Sequence, residues 1–458
     1  MIINKSLFIF MTALFLLLTP LMYSQVAEVW TSRYNGPKVD YDCAQCIVVD
    51  DDGYAYVTGK SYNERNNYDY TTIKYNSSRL GAEDWIVRYN GSADNNDFAA
   101  SIAIDGQGNV YVTGCSYGEG TGYDYATVKY NNNGIEQWVQ RYNGPGNGDD
   151  KACQLVVDDD GNVYVTGYSY EGIGSELDYA TIKYDMNGTE QWVQRYNGRL
   201  NENDYAHSIA VDRYGNVYVT GWSPCRHFAG NDFVTIKYNA NGVEQWMARY
   251  DGPVSGNDED NSLAVDRAGN VYVTGKSRGE NTEYDYATIK YNMGGVEQWV
   301  ARYDGPGNGW DEPSSLAVDE EGNVYVTGHS ATVSAHPYNY DYTTIKYNTN
   351  GDEKWVARYN GSGDDYDRAN VIAIDGTSNV YVTGKSRGSN TSYDIVTIKY
   401  NSNGVQQWIE RYDGPGHSVD EAYSMAVDKD KNIYITGESC GLGTSLDYVT
   451  IKYDTWDY

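Results

Sequence analysis

The heptapeptide GNVYVTG at residues 108–114 returns letter for letter at 161–167, 215–221, 269–275 and 322–328. Three looser copies close on Gly59, Gly384 and Gly437, so eight motif glycines follow one another with a period of about 53 residues. Every copy is preceded by an apolar strand such as SIAID at 101–105 and followed by a TIKY-like strand, which ends at Tyr75 in the first copy and Tyr453 in the last. A fourth strand carries one Trp in each copy: Trp30, Trp85, Trp138, Trp192, Trp246, Trp299, Trp355 and Trp408. We name the apolar strand A, the motif strand B, the TIKY strand C and the Trp strand D.

Strands A and B are apolar or aromatic on both alternating faces, as expected where each sheet is sandwiched between two others. Asn-Gly pairs in turns such as NNNG at 131–134 suit tight hairpins. Four strands per unit, eight units and a fixed period predict an all-β chain: a single eight-bladed β-propeller of four-stranded antiparallel blades over residues 25–458, with a seven-bladed ring as the alternative. The first Trp strand, residues 26–36, has no A, B and C strands before it, and the last TIKY strand has no Trp strand after it. Residues 26–36 are therefore predicted to complete the last blade, which removes an open sheet edge.

The 458 residues carry 34 basic and 64 acidic side chains, a net charge of -30. Such a chain repels phosphate backbones and anionic lipid headgroups, which excludes nucleic-acid binding. Lys5 followed by LFIFMTALFLLL and TPLMYSQ reads as a signal peptide over residues 1–24, with no later apolar stretch to span a membrane. The expected product is a secreted monomer, whether periplasmic, cell-surface or extracellular. Six cysteines (Cys43, Cys46, Cys115, Cys153, Cys225 and Cys440) follow no repeat, and their pairing stays open.

The pattern SLAVDxxGNVYVTG followed by DYATIKYNxNGxEQW resembles the SBBP β-propeller repeat of secreted and surface proteins of bacteria. The resemblance covers essentially the whole chain after residue 24 and implies a propeller and an extracellular setting, but no established reaction. The family name implies seven blades; the eight units here rest on the spacing.

Three aspartates recur in every unit. The first ring lies 17 residues before the motif Gly: Asp42, Asp97, Asp150, Asp204, Asp258, Asp311, Asp367 and Asp420. A second ends strand A (Asp50, Asp158 and their counterparts) and a third opens strand C (Asp69, Asp124 and theirs). Short carboxylates accept backbone N–H bonds at turns, so the first ring is read as structural, bracing the DA and BC loops. No metal site is expected, and no cofactor; calcium is the alternative use of such carboxylates, although the twelve-residue calcium loop is missing. Lys74, Arg88 and their counterparts are read as amphipathic stems over aromatic neighbours.

What breaks the repeat is concentrated in the DA and BC segments. Blade 4 places Trp222, Arg226, His227 and Phe228 there, blade 6 Trp310, His329 and His336, and the last DA segment His417. These are the candidate ligand-binding residues. No GxSxG, HExxH or phosphate-loop motif is present, and no catalytic residue is assigned. The reading is a non-catalytic secreted binding or scaffolding module whose DA and BC face recognises an extracellular glycan or protein. The alternative is an extracellular glycan-active enzyme using loop aspartates as acid and base.

Overall fold

A computed structural model describes residues 26–172, 176–226, 230–333, 339–389 and 391–455. The expected signal peptide lies outside them, and no helix among them is long and apolar enough to cross a membrane. The strands form eight four-stranded antiparallel sheets, each in the order A-B-C-D, arranged as the eight blades of a propeller. Blade 8 takes A, B and C from Asp420–Val427, Ile433–Cys440 and Leu446–Thr455, and D from Val26–Tyr34. Pairing runs from Val26 opposite Thr455 to Tyr34 opposite Tyr448, so the first strand closes the ring as its sequence predicts.

Strand A of each blade lies beside strand A of the next all the way round, which makes A the innermost strand and D the outermost. Cores form between blades, as the two-faced strands require. In one of them Tyr111 and Tyr125 of blade 2 pack on Leu155, Val163, Val165 and Ile182 of blade 3. Burying side chains of this size stabilises by about 1.5–3 kcal/mol each, so each interface holds its two blades together.

The motif glycine is dictated by crowding. A Cβ on Gly167 would stand 2.1 Å from the Lys151 carbonyl and 2.8 Å from the phenol oxygen of Tyr125, which reaches across from blade 2 to donate to the Ala180 carbonyl at 3.2 Å. Gly167→Ala is expected to lower stability by about 1–3 kcal/mol, the usual cost of overpacking; urea unfolding at unchanged m-value checks it.

The outer rim is clamped in the same one-directional way. Lys129 Nζ and Trp138 Nε1 of blade 2 both donate to the Met186 carbonyl in the CD turn of blade 3, at 2.9 and 3.2 Å. Lys183 with Trp192 grips Ala240 of the next turn, and Lys237 with Trp246 grips Met293. Each lysine also lies over a tyrosine ring, Lys129 4.9 Å from the centroid of Tyr111. At the closure the buried indole nitrogens of Trp408 and Trp30 have no hydrogen-bond partner among the described residues. The inner edge is tied too. Strand A bulges after its third residue, and the side chain beyond the bulge accepts an N–H from the next strand A, Ser101 Oγ from Leu155 at 3.3 Å and Gln154 Oε1 from Ile209 at 2.8 Å.

Candidate functional site

The DA and BC loops share one face, and the first ring of aspartates joins them. Asp150 Oδ2 accepts the Gly144 N–H at 2.6 Å and its Oδ1 the Tyr170 N–H at 2.9 Å, linking the DA turn to the end of strand B. Asp42, Asp258, Asp311, Asp367 and Asp420 hold the equivalent pair of donors. In blade 4 the second donor position is Pro224, which has no N–H, and Asp204 Oδ1 is left without a partner. Burial pushes Asp97, Asp204, Asp258 and Asp311 up to about 6 against the pull of these donors. All eight carboxylates are fully buried, which keeps them from a substrate in solution.

The third ring is held by arginine. Arg141 pairs with Asp124 at 2.7 Å, donates to Ser116 Oγ and its carbonyl, and reaches the Tyr89 hydroxyl of the preceding blade at 3.1 Å. The same pair recurs in all eight blades, with Arg33–Asp447 and Arg88–Asp69 at the closure. Arg88 lies over the Tyr34 ring, 5.9 Å from its centroid, and the arginines are in addition hydrogen-bond hubs between blades, because each guanidinium meets a carboxylate, a serine and a phenol together.

Where strand D ends in RYDG instead of RYNG, a third carboxylate joins the first and third rings. Oxygens of Asp232, Asp251 and Asp258 lie within 4.8 Å of one another, as do those of Asp285, Asp304 and Asp311, and of Asp394, Asp413 and Asp420. These are the residues that could hold a divalent cation. In the last group His417 Nδ1 lies 2.8 Å from Asp413 Oδ2, and this carboxylate raises the histidine pKa. The sequence signal of these triads is the Asp that stands at 251, 304 and 413 where the other copies have Asn.

The predicted ligand residues separate into groups. Trp222 stacks on Tyr205, ring centroids 4.4 Å apart, with His207 at 6.3 Å. Trp310 stacks on Tyr284 at 4.7 Å and donates to Glu312 at 3.1 Å, while His329 is buried beside Tyr340 at 4.9 Å. Lys276 links these two, lying over Trp310 and close enough to His329 to disfavour its protonation. His417 stands apart on its DA turn. His227, Phe228 and His336 lie outside the described residues, as does the side chain of Arg226. Trp222 and His329 immediately follow motif glycines, on strand B beside the second residue of the innermost strand. That position holds Lys60, Cys115, Tyr168, Trp222, Lys276, His329, Lys385 and Glu438 around the ring, and each pairs with the second residue of its own strand A: Cys43, Phe98, Lys151, Tyr205, Glu259, Glu312, Arg368 and Glu421.

The opposite face is regular. Asp158 Oδ1 accepts the N–H groups of Asp160 and Asn162, and its Oδ2 accepts Asn162 Nδ2 and the Tyr164 hydroxyl, which accounts for the calcium-like spacing there as a hydrogen-bonded turn. Grooves run between neighbouring AB turns; the one between blades 3 and 4 has about 420 Å³ and is lined by Asp159, Asp160, Lys183, Arg213 and Tyr214. All six cysteines are free.

The chain is 22% identical over 428 residues to an uncharacterized WD repeat-containing protein, L264, of Acanthamoeba polyphaga mimivirus, which covers 74% of this chain and 29% of that protein. This chain therefore spans less than a third of that relative. Among solved structures it is similar to a protein of unknown function from Dyadobacter fermentans, at 10% identity and a TM-score of 0.43 over 94% of this chain and 99% of that one. It is also similar to the β-propeller domain of the Trilobed protease from Pyrococcus furiosus, at 11% identity and a TM-score of 0.43 over 79% and 97% of the two chains. Five stretches, residues 85–120, 137–174, 191–223, 248–281 and 298–331, match the model of the SBBP β-propeller repeat. Repeats matched from blade to blade, on a ring whose other units carry the same four strands, show that the chain belongs to the SBBP β-propeller repeat family.

Proposed function

We propose that this propeller is an exported, non-catalytic binding module that meets an extracellular glycan or protein with its DA and BC face. One observation carries the reading. Around a ring built from copies of one unit, the core, the AB turns and the arginine network repeat, whereas the position after the motif glycine runs through lysine, cysteine, tyrosine, tryptophan, histidine and glutamate. Packing does not demand that variety, and aromatic residues interleaved with charges suit recognition. The first-ring aspartates are buried beneath this surface, which favours binding over acid-base catalysis.

A glycan array probed with the purified protein, with its hits assayed for released sugar, tests the proposal. Binding without turnover, lost at least tenfold in Trp222→Ala, is the expected result. Sugar release would overturn the non-catalytic reading, and ligands bound equally well by Trp222→Ala and by variants of the other residues that follow motif glycines would overturn the choice of face.

A further inference from the structure

In blades 5 and 7 the residue in the bulge of strand A reaches toward the next blade. Asn370 of blade 7 donates to the Ala422 carbonyl at 2.8 Å and to Glu421 at 2.9 Å, and Asn261 of blade 5 donates to the Pro313 carbonyl at 2.6 Å. Between blades 6 and 7 the same position is Ser314, too short for that reach, and its Oγ has no hydrogen-bond partner. The residue facing it in the next strand A is Arg368, the counterpart of Glu421. Arg368 makes no ion pair among the described residues, and its buried Nε is also unpartnered. The wall is His329, 5% exposed and packed on Tyr340 and Tyr366, with Nδ1 unpartnered. Three buried polar atoms at one interface are therefore left without a partner where Ser314 stands in place of the longer Asn of blades 5 and 7, a position we call the notch, and buried polar groups of this kind call for a partner.

We propose that this notch between blades 6 and 7 binds the carboxylate of a saccharide bearing a single acidic group, with Arg368 as the charged anchor and Ser314 and His329 as hydrogen-bond partners. Arginine presents a fork that matches a carboxylate. His329 is neutral here, because burial and the neighbouring Arg368, Lys276 and Lys385 push its pKa down to about 3, so one ring nitrogen can donate and no proton need be gained. The ring of Tyr366, 5.8 Å from that of His329 and only partly buried, flanks the notch as a face for a pyranose. A single acidic group fits the net charge of -30, which opposes a polyanion. The inference rests on the reading of the DA and BC face given above.

Titration calorimetry on the full chain tests it with three probes: a disaccharide ending in glucuronate, the same disaccharide ending in glucose, and an acetylated tripeptide with a free carboxylate. The glucuronate probe should bind at least tenfold more tightly than either other probe, and lose at least tenfold in Arg368→Gln and in Ser314→Asn. Ser314→Asn installs the residue that blades 5 and 7 carry, so its melting temperature should match or exceed the parent's and separate loss of binding from loss of fold. No binding of the glucuronate probe, or undiminished binding by both variants, overturns the notch. Equal binding of the tripeptide overturns the saccharide. If array ligands are lost in Trp222→Ala while the glucuronate probe never binds, the face stands and the notch falls.

Discussion

A chain lacking residues 26–36 is expected to lose its fold or to aggregate. Removing strand D of blade 8 takes away Trp30, which is 5% exposed among Tyr75 and Tyr434, and a loss of that kind costs about 3–5 kcal/mol. It also takes away Arg33, leaving Asp447, 4% exposed, without the cation 3.0 Å from it, and an uncompensated buried charge costs about 3–5 kcal/mol more. Val26 no longer packs against the core cluster that holds Trp408, and strand C presents a bare edge ready to pair with another molecule. The sum approaches the whole stability of about 5–15 kcal/mol available to a domain. Circular dichroism melting and light scattering decide the matter, and a truncated chain that melts with the parent would show that the closing strand is dispensable. Rescue by a peptide of residues 26–36 added in trans is the companion result expected.

The second large effect concerns Asp260. At the third residue of strand A, six blades have Ala and blade 6 has Pro313; blade 5 has a fully buried aspartate whose two oxygens take no hydrogen bond. Six blades also have a strand C tyrosine that donates to a carbonyl of the following blade, as Tyr179 does to Val234, but the ring facing Asp260 is Phe233. A phenol hydroxyl has been exchanged for a carboxyl. Burial pushes Asp260 up to about 8, against about 3.9 for an unfolded aspartate. The folded chain then keeps a proton that the unfolded chain has released, so the stability from this group is complete below about pH 4 and falls by about 1.4 kcal/mol per unit until the pH passes 8. Asp178, raised to about 7 by burial and by Glu171, and the first-ring aspartates act in the same direction. The melting temperature should therefore rise from pH 8 to pH 5. The double variant Phe233→Tyr with Asp260→Ala, which restores the pair used elsewhere in the ring, should flatten that dependence and be the more stable protein at pH 8. Phe233→Tyr alone should destabilise by crowding the carboxyl. A double variant with the parent's pH dependence would remove Asp260 from the explanation.

The ring was legible because its signal is repeated. Eight glycines at one spacing and the lone Trp strand at the start together dictate the number of blades and the way they close. The chemistry of the loops was legible only in part. That Asp124 and Arg141 recur is plain in the sequence, but their pairing depends on strands C and D lying in register, and the link to Tyr89 on a different blade. That Ser314 and Arg368 belong to one interface was hidden by the strand A bulge, which in blades 5 and 7 turns one residue toward the neighbouring blade. Residues as unlike as Gln45, Ala100, Cys153 and His207 occupy it, so no residue type announces it. The exchange of Tyr and Ala for Phe233 and Asp260 could have been read as a coupled pair only once blades 4 and 5 were known to face each other at that level.

The register of the closure also governs how the ring responds to force. Val26 pairs with Thr455, so the two ends of the closing strands sit side by side. Tension applied across those ends pulls at right angles to the strands and opens the ladder one residue pair at a time, like a zipper, instead of loading all its bonds together. The two indoles without a carbonyl to grip among the described residues, Trp408 and Trp30, flank that same line, so the tryptophan half of the outer clamp is missing where the peeling begins. A tether at one end leaves this seam unloaded, whereas anchoring both ends to separating surfaces makes it the place where the ring gives way.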